Sequence, residues 1–149
     1  MIALTKKAKY ALKALVYLAA RYDGESSKPE QASSIAQAQH IPIKFLEAIL
    51  SELSKHGYLN SRKGRGGGYW LARNPNHIFL GAVIRIFEGP LAPIPCVSKR
   101  YYARCEDCDD EAHCEVRQVM LKVKNGILAV LDKTSIAEMM CSAEQPIQL

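Results

Sequence analysis

Four cysteines fall within 19 residues, Cys96, Cys105, Cys108 and Cys114, in the pattern C-x8-C-x2-C-x5-C. Thiolate is a soft ligand suited to zinc and iron–sulfur centres, and neighbouring thiols can also exchange electrons directly. His113, beside the last of them, can add a nitrogen donor. The surrounding charge is mixed: Lys99, Arg100 and Arg104 favour thiolate, whereas Glu106, Asp107, Asp109, Asp110 and Glu111 oppose it. A secreted disulfide framework is not expected, because Lys13 interrupts the apolar run that follows Lys6, Lys7 and Lys9 and so spoils a signal peptide. An iron–sulfur cluster, zinc and bare redox thiols remain as readings of this loop, beside a chemically idle one. A thiol enzyme built on Cys105-x-x-Cys108 is disfavoured by the acidic neighbours and by the lack of a βαβ pattern, so no enzyme is expected. Cys141, alone near the tail, reads as an ordinary thiol.

A second stretch, Ile41 to Arg73, carries a different chemistry. Phe45, Leu46, Ile49, Leu50 and Leu53 recur with a helical period after Pro42, and Gly57 stands where glycine ends a helix. Lys44 and Glu47 lie toward the other face, where a lysine suits phosphate or guanine and a glutamate can accept from the amino group of cytosine. Short strands at Tyr58–Arg62 and Tyr69–Arg73 then flank a tip of Lys63, Gly64, Arg65, Gly66, Gly67 and Gly68. Glycines let the backbone approach a phosphate or a narrow groove closely, and Arg62, Lys63 and Arg65 supply the charge. Helix, turn, helix and basic hairpin is the reading head of a winged helix-turn-helix.

The remaining elements must position these two stretches. A first helix is expected from about Thr5, its N-cap, to Tyr22, with Leu4, Ala8, Ala11, Leu12, Leu15, Val16 and Ala19 on one face. A short helix from Glu30 to Gln39 follows the loop Asp23–Pro29, and another runs from Phe79 to Phe87. Residues 90–114, with Pro90, Pro93 and Pro95, show no period and read as a long functional loop. The last large helix runs from Cys114 to Asp132, with Met140 as an outer limit. Val116, Met120, Val123, Ile127 and Val130 give it a coiled-coil-like seam for a second copy, with one flank left for the chain's own core.

Charge divides the chain. Residues 1–78 hold 12 Lys and Arg against 5 Asp and Glu, a balance of +7, whereas residues 79–149 hold 8 against 10, a balance of −2. A basic reading module (1–78) joined to a sensor loop (90–114) and a dimerisation helix (114–140) within residues 79–149 is the expected organisation. The fold class is mainly α with a small β-hairpin wing. No apolar run reaches the length of a bilayer span, so a cytoplasmic protein without membrane attachment is expected.

With these residues in view, the chain resembles the Rrf-two family of bacterial transcription regulators over about residues 2 to 135. The resemblance rests on Leu4-Thr5-Lys6, Tyr10-Ala11-Leu12, Ile41-Pro42, Phe45-Leu46-Glu47, Leu50, Leu53, Gly57-Tyr58-Leu59 and above all Gly66-Gly67-Gly68-Tyr69-Trp70-Leu71. It implies a homodimer on a partly palindromic double-stranded promoter site. The helix after Pro42 would lie in the major groove and the wing around Arg65 in the minor groove, with DNA contacts from Lys6, Tyr10, Pro42, Lys44, Phe45, Glu47, Arg62, Lys63, Arg65, Gly66, Gly67 and Tyr69. It further implies a [2Fe-2S] or [4Fe-4S] cluster held by three loop cysteines, with zinc or no cofactor as alternatives. Cys96 and Cys114 match the outer two ligands and either Cys105 or Cys108 the middle one. Two departures stand out: Arg117 occupies the position of the family's histidine ligand, and Lys9 that of an acidic ligand found in its nitric-oxide-sensing branch. Arginine stays protonated and cannot ligate, so the fourth ligand would fall to the extra cysteine, to His113 or to an external group.

Overall fold

In the computed structural model, which describes residues 3–144, 146 and 147, six α-helices surround one core, with a two-stranded antiparallel hairpin at its edge. Helix α1 (Lys6–Ala19) starts where Thr5 accepts a hydrogen bond from the Ala8 amide at 3.3 Å. It buries Ala8, Ala11, Leu12, Ala14, Leu15, Leu18 and Ala19. It ends before the expected Tyr22, because the amides of Arg21 and Tyr22 bond back only three residues and tighten the last turn. Leu4 lies outside the helix and exposed, and Val16 is half-buried.

Helix α2 (Ala32–Gln39) begins two residues later than its apolar pattern suggested. Glu30 is taken out of it by pairing with Tyr69, N–H to O at 2.9 Å and O to N–H at 2.8 Å, which ties the hairpin to the foot of α2. A left-handed His40 and a buried Ile41 turn the chain into α3 (Ile43–Lys55), with Pro42 at the N-cap. Leu46, Ile49, Leu50 and Leu53 of α3 are buried. Phe45 is the exception to the expected apolar set: it lies 43% exposed on the outer side. Gly57, at φ +74°, ends the helix while the Tyr58 amide bonds the Leu53 carbonyl at 3.0 Å.

Strands β1 (Leu59–Arg62) and β2 (Gly68–Leu71) pair from Leu59↔Leu71 to Arg62↔Gly68. Helix α4 (Leu80–Glu88) inserts Val83 and Ile84 into the core, and its Glu88 carboxylate accepts from the Thr5 amide (2.9 Å) and hydroxyl (2.6 Å), closing the start of α1 against the end of α4. The proline-rich loop that follows contains one 3-10 turn, Pro95–Val97.

Helix α5 (Glu115–Leu131) does not continue to Met140. Lys133 and Thr134 break it, Leu80 donates to the Thr134 carbonyl at 3.0 Å, and Ile136 donates to the Ile78 carbonyl at 2.8 Å. A separate α6 (Ile136–Ser142) then packs back on α1, with Ile136 fully buried in the same core as Leu15 and Leu50. The Ser135-x-x-Glu138 capping box starts it.

The exposed apolar residues of α5 coincide only in part with the expected seam. Met120 and Ile127 are half-buried toward their own chain, and Lys124 is the one fully buried residue of the helix. Val116 (61% exposed), Val119 (53%) and Val130 (61%) face out, with a half-buried Val123 and an exposed, unobstructed Gly126 between them. The stripe 116-119-123-126-130 keeps the steps of three and four, with Val119 and Gly126 in place of Met120 and Ile127. Among the described residues no helix is long and apolar enough to cross a membrane.

Candidate nucleic-acid interface and cysteine loop

The amphipathic period of α3 turns its apolar side inward and leaves Pro42, Lys44, Phe45 and Glu47 exposed on the outer side. Tyr10 of α1 meets Phe45 edge-on, ring centroids 5.8 Å apart and planes at 89°. This aromatic contact fixes the start of α3 against α1, and Lys6 stands exposed one helical turn before Tyr10. At the hairpin tip Lys63 and Arg65 are exposed and make no ion pair among the described residues. Arg62 differs, because its guanidinium donates to the Gly66 carbonyl at 2.9 Å and so braces the tip across its own turn.

Two glycines of the tip are required by space. A side chain at Gly67 would meet the Arg62 carbonyl oxygen at 2.1 Å, and one at Gly68, already at φ +148°, would meet the Glu30 carbonyl oxygen at 2.3 Å. Gly67 is buried and Tyr69 half-buried against the core, so both hold the wing's shape while Gly66, at φ +72°, stays exposed. Sequence reasoning missed the role of Glu30. Its pairing with Tyr69 is a long-range backbone contact that no local pattern announces.

The cysteine loop gathers some of its thiols and separates one. Cys96 is buried in the Pro95–Val97 turn. Cys108 lies beside Cys114 and feels Cys105: desolvation raises the Cys108 thiol above its ordinary pKa, the hydrogen bond and charge of Cys114 and then the charge of Cys105 add to this, and the Asp110 backbone amide opposes it. Cys114 is also the N-cap of α5, its sulfur accepting from the Arg117 amide at 3.5 Å. Arg117 reaches back with Nε to the Cys96 carbonyl (3.3 Å) and with Nη1 to the Glu111 carbonyl (3.4 Å), a structural strut at the position where the resemblance places a histidine ligand. His113 is exposed and bound to Asp110 at 2.5 Å, whose carboxyl is held below the usual range chiefly by that hydrogen bond. Glu111 accepts from the Tyr102 hydroxyl at 2.7 Å through one oxygen, while its other oxygen is buried without a partner among the described residues.

These donors do not fit a metal centre as they stand. Among the described residues no three His, Cys, Asp or Glu side chains converge on a point that could hold a metal ion. Cys96 sits inside its turn, His113 is turned to Asp110, and of the loop thiols the half-buried Cys108 and Cys114 stand beside each other.

A helix-turn-helix with an exposed outer face, braced to a basic glycine-rich wing, defines the class: a winged helix-turn-helix protein of the kind that reads DNA. Comparison with known proteins agrees. Residues 4–142 match the Rrf2 family model, described as an iron-dependent transcriptional regulator. An rrf2-like HTH-type regulator of Rhodobacter capsulatus is 37% identical over 146 residues, covering 98% of this chain and 97% of the relative. Among solved structures, CymR (YrzC), the global cysteine regulator of B. subtilis, superposes with a TM-score of 0.76 at 28% identity, covering 95% of this chain and 98% of that one. IscR of T. potens superposes with a TM-score of 0.72 at 30% identity, covering 98% and 93%. The chain belongs to the Rrf2 family of transcriptional regulators, which bind DNA and are not enzymes.

Proposed function

We propose that this chain acts in the cytoplasm as a homodimer on promoter DNA, and that thiol chemistry at Cys108 and Cys114 switches its affinity. The observation that carries the reading is that Cys114 is at once a member of the thiol group and the N-cap of α5, the helix that exposes the valine stripe. A change at its sulfur therefore reaches the first turn of the proposed dimer helix directly. Oxidation by a peroxide joins the two sulfurs: the two thiols give up two protons and two electrons, and hydrogen peroxide leaves as two waters. The bonded sulfur is drawn from the Arg117 amide, and loss of a helix cap costs about 1 kcal/mol. In this reading residues 1–78 recognise DNA and residues 79–149 sense and dimerise, a functional division laid over a shared core. Lys44 and Glu47 face the major groove and Arg65 the minor groove.

A second reading is favoured by the family's description as iron-dependent and by four cysteines in 19 residues. Cys96, Cys114 and one of Cys105 or Cys108 would hold an iron–sulfur cluster, or zinc, once the Pro95–Val97 turn opened. Such a group would supply sensitivity to iron, oxygen or nitric oxide. Anaerobic purification with iron, sulfide and zinc quantified beside the visible absorption spectrum separates the two. The switch is then tested by promoter-fragment binding of wild type and Cys114→Ser, before and after peroxide. Serine caps a helix well but forms no disulfide, so the variant should hold one affinity while the wild type changes. An equal response in both removes Cys114 from the mechanism.

A further inference from the structure

We propose that a cavity between α4, the proline-rich loop that follows it and α5 binds a small aliphatic carboxylate. The cavity measures about 320 Å³, within the range of small-molecule sites. Its chemistry is lopsided. Four cationic side chains line it, Arg85, Lys99, Arg100 and Lys124, and no carboxylate does. Arg85 already has its partner, with both guanidinium nitrogens on Asp132 at 2.6 and 2.9 Å.

Lys124 is the informative member. It is 7% exposed, and its amine donates to the Val97 carbonyl at 2.8 Å. An ammonium has three donors, and among the described residues no carboxylate lies within ion-pair distance of this one. A buried cation without a counter-charge is costly, whereas one that meets an anion in a bound ligand is compensated. Ser98, equally buried, accepts from the Tyr101 amide at 3.1 Å and keeps its hydroxyl proton to donate. Pro90, Leu91, Ala92 and Leu128 form an apolar wall. Cation and hydroxyl suit a planar carboxylate, and the wall suits a short hydrocarbon body. An inorganic oxyanion would leave that wall unused.

Occupancy would be felt by the rest of the molecule. Lys124 fixes the carbonyl of Val97, the residue after Cys96, and it is the sole buried residue of the helix that carries the valine stripe. A ligand here would bias both. The proposal is independent of the thiol switch, because its test reads ligand binding directly.

The probes are butyrate and succinate, with butyramide and inorganic sulfate as controls, followed by protein NMR shifts and by thermal melting of the full chain. At least one carboxylate should give saturable shifts at Tyr101 and Asn125 and a melting temperature that rises with ligand concentration. Lys124→Met, close in length and apolar, should weaken that binding by about tenfold or more, which is about 1.4 kcal/mol. Should this variant fail to fold, Lys124→Gln keeps a donor for Val97 and should show the same loss. Absence of saturable binding by both carboxylates, equal binding by sulfate or butyramide, or undiminished binding by the lysine variants would each overturn the proposal.

Discussion

Single residues divide the wing into parts left free for the proposed DNA contacts and parts that hold its shape. Arg65 is exposed and makes no internal bond among the described residues, whereas Arg62 braces the Gly66 carbonyl. Arg65→Ala should therefore weaken promoter binding without moving the melting temperature. It should also lower the slope of log affinity against log salt by about 1 per lost phosphate contact, because each contact releases a condensed counterion. Fluorescence anisotropy at several salt concentrations checks this, and an unchanged slope would mean that Arg65 does not lie on phosphate. Gly68 belongs to the other class. With φ +148° and the Glu30 carbonyl 2.3 Å from any added Cβ, Gly68→Ala must part the Glu30–Tyr69 pair or distort the hairpin. Destabilisation of roughly 1–3 kcal/mol is expected by denaturant unfolding. Affinity should fall at unchanged salt slope, since no charge is removed.

At the level of elements, α5 and α6 show what the sequence could and could not say. Their apolar residues are legible in the sequence, but α5 carries apolar groups on more than one flank, and Met120 and Ile127 of the expected seam lie half-buried in the single chain. Only tertiary packing tells the two flanks apart. The buried Lys124 was invisible for the same reason, because a lysine in an amphipathic helix is ordinarily solvated. The α3 core, apart from the outward Phe45, and its glycine stop are legible in the sequence, since one apolar stripe and one helix-ending glycine admit few alternatives. In the cysteine loop the thiols could be named, yet which of them meet depends on a chain path with no period to follow. The capping box of α6 carries a pH dependence. The Glu138 carboxyl is held below its ordinary pKa, first by the Ser135 backbone amide and then by the Ser135 hydroxyl. A depressed folded-state pKa stabilises α6 above the unfolded carboxyl's pKa, and that contribution is lost as pH falls through the lowered value. Amide exchange of α6 should therefore quicken relative to α1 on acidification. Glu138→Gln should remove the pH dependence, and an unchanged profile in that variant would assign it to another group.

Across the whole molecule, a basic reading half and a mildly acidic remainder suit a protein that presents one face to DNA and keeps the other away from it. One copy offers only one α3 and one wing, a small footprint for specific recognition. In the proposed homodimer the valine stripe on α5 would double it: Val116, Val119 and Val130 are exposed in the single chain, and open space at Gly126 leaves room for a second helix. Fully burying an exposed valine is worth about 1.5–3 kcal/mol, so covering these half-exposed ones with a second copy would contribute a part of that each. Val119→Glu places a charge in that seam at a position with no role in the monomer's core. It should yield a folded monomer by analytical ultracentrifugation, with the melting behaviour of a single chain. If the two reading heads engage one promoter together, each contributes its own phosphate contacts, and the salt slope counts them. The wild type should then show about twice the slope of the Val119→Glu monomer on the same fragment, together with a much higher affinity. A monomeric variant with the wild-type slope would mean that one head carries all the contacts, and a variant that stays dimeric would place the subunit interface elsewhere than on this face of α5.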